Sequence, residues 1–260
     1  MTEPDLLVRW LHILGFDFLR YALTAAIVYV LLWGLLSERL SGRRILDGGR
    51  NTTGIPREIG YSMLTVLIFA ANGLLVFSLK SAGYTRIYSE VAEYGWAYWW
   101  VSVAVVIVLH DAYFYWTHRL LHRGWWFRHV HGVHHRSVSP TPWAAYSFHP
   151  VEASIQAVFL PVFVLVIPIH DAAMFVFLLH MIVNNCVGHS GFEILPWRAA
   201  TRGWLRWKTT VTHHHFHHAR NRGNYGLYFT WWDRLCGTED ASHRSYGDAR
   251  YGVTTARVRT

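Results

Sequence analysis

Between residues 110 and 135 the chain reads HDAYFYWTHRLLHRGWWFRHVHGVHH, seven histidines in 26 residues at the end of an apolar run. Side chains four apart on a helix share a face, their Cβ atoms about 5–6 Å apart, so His118 and His122 can approach one metal ion from one helix. His131 followed by His134 and His135 offers the same reach, and the adjacent pair can turn toward two neighbouring ions. A second cluster about eighty residues downstream repeats the pattern as His214, His217 and His218. Eight imidazoles are too many for one ion and suit two. A structural zinc site needs only four ligands. The two cysteines, Cys186 and Cys236, supply neither a thiolate metal site nor a disulfide framework. Imidazole accepts zinc, copper, nickel or iron. Iron with open positions fits best beside a lipid-accessible cavity, where O2 activation permits attack on an unactivated C–H bond.

The rest of the sequence must bring these clusters to one place. It is 52% hydrophobic and 15% charged, with 14 each of Trp, Tyr and Phe. That composition marks an integral membrane protein with aromatic interface belts. The formal charge of +8 comes mainly from arginines that flank apolar runs. Such placement favours anionic lipid headgroups and topology control and excludes a nucleic-acid partner. The opening MTEPDLLVRW lacks the pattern of a removable signal peptide.

The expected fold is all-α: an integral membrane bundle of about four or five apolar helices with a cytosolic, histidine-rich helical cap. A first span is expected over Tyr21–Leu36, extendable to Phe16. A second is expected over 59–79, with Asn72 as its strongly polar member, and a third over 94–117, starting in the aromatic belt Tyr94–Trp100. Residues 153–169 and 172–188, split by Pro168, His170 and Asp171, read as a short helical hairpin. Arg39, Arg43, Arg44, Arg50 and Arg57 in one linker place that side, and both histidine clusters with it, in the cytoplasm. A single domain spans 1–260: spans in 1–93, a histidine-box core in 94–240 and a soluble-looking tail in 241–260.

The segments HDAYFYWTHRLLH, HGVHH, SFHPVE, GHSGFEILP, HHFHHARNRGNYG and TWWDRLCGT occur in the order found in the fatty acid hydroxylase and sterol desaturase superfamily. The protein most resembles its sterol C4-methyl oxidase and C5-desaturase branch, over roughly residues 95–240. That resemblance implies a histidine-ligated di-iron oxygenase that uses O2 and electrons from a separate protein of cytochrome, ferredoxin or reductase type. Its substrate would be a lipid drawn from the bilayer and hydroxylated or desaturated. A carotenoid-hydroxylating or aldehyde-processing member, or a non-enzymatic membrane metal-binding protein, stands as the alternative. The implied iron ligands are His118, His122, His131, His134, His135, His189, His214, His217 and His218. Asn185 stands where some members carry a tenth histidine.

Around these, His110 with Asp111 is expected to support the ligands through hydrogen bonds, and His149 with Glu152 to form a helix entry that braces the site. His180 lines the substrate cavity or is a satisfied core histidine. His129 is a bystander, and His12, His170 and His243 are ordinary interface or surface residues. The host membrane is the bacterial inner membrane or the endoplasmic reticulum.

Overall fold

The computed structural model describes residues 6–45 and 52–251. Among the described residues, four helices are long and apolar enough to cross a membrane. They are α1 (Leu6–Tyr29, continued by a π-helical turn, Val30–Leu35), α2 (Ile55–Ser81), α3 (Gly95–Leu121) and α8 (Asp171–Gly188). Between α3 and α8 lie α4 (Gly124–Trp126), a π-helical turn (Phe127–His131), α5 (Gly132–His135), α6 (Pro150–Ala157) and α7 (Phe159–Val166). Beyond α8 come α9 (Trp197–Thr201), α10 (Val211–Arg220), α11 (Trp231–Leu235) and α12 (Ser242–Arg250). Two-residue strands β1 (Ile87–Tyr88) and β2 (Ile169–His170) pair in parallel.

The helix boundaries follow local chemistry. Proline occupies the first turn of both α2 and α6, where its missing N–H costs nothing. The Thr210 side chain accepts from the His213 amide to start α10, and Asn221, at φ 58°, ends it in the left-handed conformation.

The first helix begins earlier than the apolar run alone implied. Arg9, His12, Asp17 and Arg20 all lie inside α1, which starts at Leu6 rather than near Phe16 or Tyr21. Two contacts make these residues tolerable there. Asp17 and Arg20 form an ion pair one turn apart at 2.7 Å, and the Arg9 guanidinium lies 4.2 Å over the Phe77 ring.

The bundle has two distinct ends. At one, Lys80 pairs with Asp171 at 2.8 Å and the β1–β2 pair joins the loops. At the other, the Ile45 amide donates to the Gly191 carbonyl, Arg57 to Ser137 and Thr141 to Glu58, beside the histidine segments. On α3, exposed Trp96 and Trp116 mark these two levels. They stand twenty residues apart, about 30 Å of helix, which is the thickness of a hydrocarbon core. His118 follows two residues beyond Trp116.

The segment from 241 is less free than its polarity implied. Residues 242–250 form α12, which packs on α9 and α10, and His243 is buried, its Nδ1 donating to the Asp240 carbonyl at 2.5 Å and its ring packed against His213. Residues 252–260, the N-terminal residues 1–5 and the linker stretch 46–51 with Arg50 lie outside the described residues.

Candidate metal centre

The nine histidines singled out above converge from four places: the end of α3, the α5 region, the end of α8, and α10. They form two groups, each with its ligand atoms within 4.8 Å of one another. His118, His122, His131, His135 and His217 make the first; His134, His189, His214 and His218 make the second. The adjacent pairs His134–His135 and His217–His218 each divide between the groups, and the stacked rings of His135 and His218, 4.6 Å apart, mark the border.

The segment that leads into α5 is locally irregular. The π-helical turn over 127–131 inserts an extra residue per turn just before α5 and so re-aims His131 relative to the helix that follows. Gly132 is required there, because a Cβ at that position would meet the Phe127 carbonyl oxygen at 2.7 Å.

In the first group, four of five imidazoles are held through Nδ1. His118 donates to the Tyr225 carbonyl at 2.9 Å, His122 to the Asn221 carbonyl at 3.0 Å and His217 to the Gly223 carbonyl at 2.7 Å. His131 donates to Glu152 Oε1 at 2.7 Å. Each such bond places the proton on Nδ1 and leaves Nε2 as a bare lone pair. Yet the Nε2 atoms of His118 and His131 stand 3.0 Å apart, and those of His122 and His217 3.2 Å apart. Two inward lone pairs at that distance repel unless a cation lies between them. The donor set therefore fits a metal ion, and no packing argument accounts for it.

The second group is more loosely held. His189 Nδ1 donates to the Asn185 carbonyl at 2.7 Å, which aims its Nε2 at His134, 3.3 Å away, and at His214, 3.1 Å away. His134 Nδ1 and both ring nitrogens of His218 make no close hydrogen bond to another described residue. Burial holds the clustered histidines beyond the spans neutral: His189 is pushed down to about 4 and His122 to about 2, with neighbouring His217 adding to the effect at His122. Neutral imidazole is the form that binds metal.

The supporting residues divide sharply. Glu152 is buried and bonded to His131, as expected of a brace. His149 is not at the centre: its Nδ1 accepts from the Val151 amide and caps α6. The Asn185 side chain donates to the Ala145 carbonyl at 2.6 Å, so it is the backbone of Asn185 that serves His189. His110 joins neither group. Its Nδ1 meets the Tyr228 hydroxyl at 3.0 Å, and its neighbour Asp111 accepts from the amides of Tyr228 and Phe229 and from the Trp231 indole. Asp111 thus anchors the loop after α10 rather than a ligand. His180, half-buried, packs on the Tyr228 ring at 4.8 Å and accepts at its carbonyl from the Asn184 side chain. His129 is exposed and bonded to the Trp125 carbonyl, and His170 caps α8.

Two carboxylates escaped the sequence reading. Asp233 accepts from the amides of Tyr225 and Gly226 and so positions the carbonyl that holds His118. Glu193 accepts from the amide and hydroxyl of Thr212 and fixes the start of α10. Their signals, the WWD and GFE triplets, lie inside the family-like segments but carry no metal spacing of their own.

Two cavities lie nearby. A small one of about 190 Å³ reaches the second group at His214, beside Asn185 and Lys208. A larger one of about 540 Å³ lies at membrane depth among α1, α2, α3 and α6–α8. His110, but none of the nine clustered histidines, lines it.

The family model described as fatty acid hydroxylase matches residues 103–238. Among curated proteins, a Delta(7)-sterol 5(6)-desaturase of Gibberella zeae is 34% identical over 85% of this chain and 66% of its own length. A lathosterol oxidase of Rattus norvegicus is 31% identical over 71% of this chain and 60% of its own, and a Delta(7)-sterol 5(6)-desaturase of Aspergillus fumigatus is 30% identical over 74% and 63%. The protein therefore spans 60–66% of the length of these relatives. No solved structure matches it. With more than half of its residues matched, and both histidine groups inside that match, the chain belongs to the fatty acid hydroxylase family.

Proposed function

We propose that this protein is a membrane-bound di-iron oxygenase that uses O2 and externally supplied electrons to hydroxylate or desaturate a hydrophobic lipid, sterol-like or fatty-acyl. The observation that carries the reading is the pair of converging imidazole sets, with Nε2 lone pairs facing one another at 3.0 and 3.2 Å in the first. His118, His122, His131, His135 and His217 would hold one iron, and His134, His189, His214 and His218 the other. Two irons with O2 would supply the oxidising power that acid–base side chains lack.

The protein's own residues do the rest. Glu152 and the carbonyls of Tyr225, Asn221, Gly223 and Asn185 orient the rings. Phe148, packed 5.1 Å from His134, and Phe127, 5.1 Å from His122, keep water from the ring faces. Electrons come from a separate cytochrome, ferredoxin or reductase. Arg43, Arg44 and Arg57 lie at the histidine end of the bundle, which supports a cytoplasmic face for the centre in a bacterial inner membrane or endoplasmic reticulum.

The activities named for the sterol desaturase and lathosterol oxidase relatives support oxidation of a C–H bond in a sterol-like lipid. Mass spectrometry of lipids from a producing host, with and without this protein, tests the proposal. A product differing from its precursor by one oxygen or by loss of two hydrogens is expected. Identical lipid profiles from a metal-loaded, electron-supplied preparation would overturn it.

A further inference from the structure

The 540 Å³ cavity has an apolar wall, with Ile13, Phe16, Val76, Phe159, Phe177 and Met181 among its lining, but it is not uniformly apolar. α1 contributes Asp17 and Arg20, α2 Asn72, and α6 Gln156. Two of these, Asp17 and Arg20, have unused hydrogen-bonding capacity. Asp17 engages Arg20 through Oδ1, and its Oδ2 has no partner among the described residues. Arg20 gives one N–H of each terminal nitrogen, to Asp17 and to the Leu178 carbonyl, and keeps a second proton on each, while its Nε is sealed in the packing. Gln156 donates to Thr117, and its Oε1 is sealed in the packing.

A buried ion pair at membrane depth is costly, and replacing one by apolar side chains is often neutral or stabilising. Spare donors and acceptors in an apolar cavity instead match a ligand group that both gives and takes a hydrogen bond. We propose that this cavity binds an elongated apolar molecule bearing a hydroxyl group, and that Asp17 and Arg20 recognise that hydroxyl. The hydroxyl donates to Asp17 Oδ2 and accepts from Arg20.

The pair also sets a distance. Arg20 is level with Leu178, to which it bonds, and His110 packs against the adjacent Phe177 at 5.2 Å. His110 precedes His118 by eight residues, about 12 Å along α3. At the inner end, Gln156 bonds Thr117, the residue before His118, and lies one turn from Glu152. A ligand hydroxyl at Asp17–Arg20 therefore leaves about 12 Å of apolar body between it and the histidine level. Calling the ligand a substrate rests on the proposed oxygenase activity; the binding site itself does not.

Full-length protein in detergent is tested for binding of a tritiated long-chain primary alcohol, with the alkane of equal carbon number as competitor. The double variant Asp17→Leu/Arg20→Met removes the pair without leaving a lone buried charge. Wild type is expected to prefer the alcohol by at least about tenfold, as a site built around a hydroxyl rejects its deoxy counterpart. The double variant should lose that preference while retaining alkane binding and metal content. Equal alcohol and alkane affinity in wild type would overturn the proposal whether or not the variant folds, as would an unchanged preference in a folded variant. Because binding is read without turnover, its failure would leave the metal-centre reading standing, and an absent metal would leave the hydroxyl site standing.

Discussion

The two histidine groups share a border but are built to different standards. In the first, Nδ1 of four rings donates to a carbonyl or carboxylate, so the inward lone pairs are aimed before any ion arrives. In the second, only His189 is held in this way. The backbone explains the contrast. The loop 221–225 runs past the end of α3 and presents three carbonyls to His118, His122 and His217, whereas Nδ1 of His134 and both ring nitrogens of His218 find no close partner among the described residues. Pre-aimed rings lose less freedom on binding, so the first group should hold its ion more tightly.

The largest effect expected from this contrast is between neighbouring residues. His218→Ala leaves three rings, of which only His189 is anchored, and should empty the second group; His217→Ala leaves four rings, three of them anchored, and should weaken the first without emptying it. Both should abolish turnover, and metal content of the protein should fall further in His218→Ala. Equal losses would remove the distinction.

A smaller effect follows from Glu152. Glu152→Gln keeps the shape but not the charge behind His131, and should weaken metal affinity about 10–100-fold in the first group alone. Chelator titration resolved by site is the measurement, and weakening of the second group instead would refute the assignment.

Acid should then act on the metal-free protein. The buried histidines beyond the spans are held below the ordinary 6.5, with His189 at about 4. The unfolded state therefore takes up protons first as pH falls, so stability is fully present above about 6.5 and declines between there and about 4. Thermal melting at pH 7.5 and pH 5 should show a clear drop in acid for the metal-free form, and a flat profile would contradict the burial of these rings.

Two substitutions outside both groups give the smallest effects. Asp111→Asn removes one acceptor from the three donors at Tyr228, Phe229 and Trp231, a loss of about 1–3 kcal/mol with metal content unchanged. His149→Ala removes the cap of α6 and should cost about 1 kcal/mol or less, again without metal loss. Metal loss in either would mean that these residues reach the centre after all.

The clustering of the histidines was legible because their spacing is a local pattern: His118 with His122, His131 with His135 and His214 with His218 need only helix geometry to meet. The spans were legible for the same reason, being apolar runs of the right length. What was not legible depends on distant backbone. Nothing near His118 in the sequence announces that the Tyr225 carbonyl will hold it, or that Asp233 will hold Tyr225. His149 and Glu152 read together as a helix entry that braces the site; His149 caps the start of α6, and it is Glu152 that reaches a clustered histidine. The polar residues of α1 read as interruptions of a span until the fold supplied Asp17 with Arg20 and Arg9 with Phe77.

The most direct test of the account is the number of irons bound per protein molecule in purified, active material, measured by elemental analysis alongside turnover. Two irons per molecule, falling toward one in His218→Ala, is the predicted result. Full activity with well under one iron per molecule would contradict it.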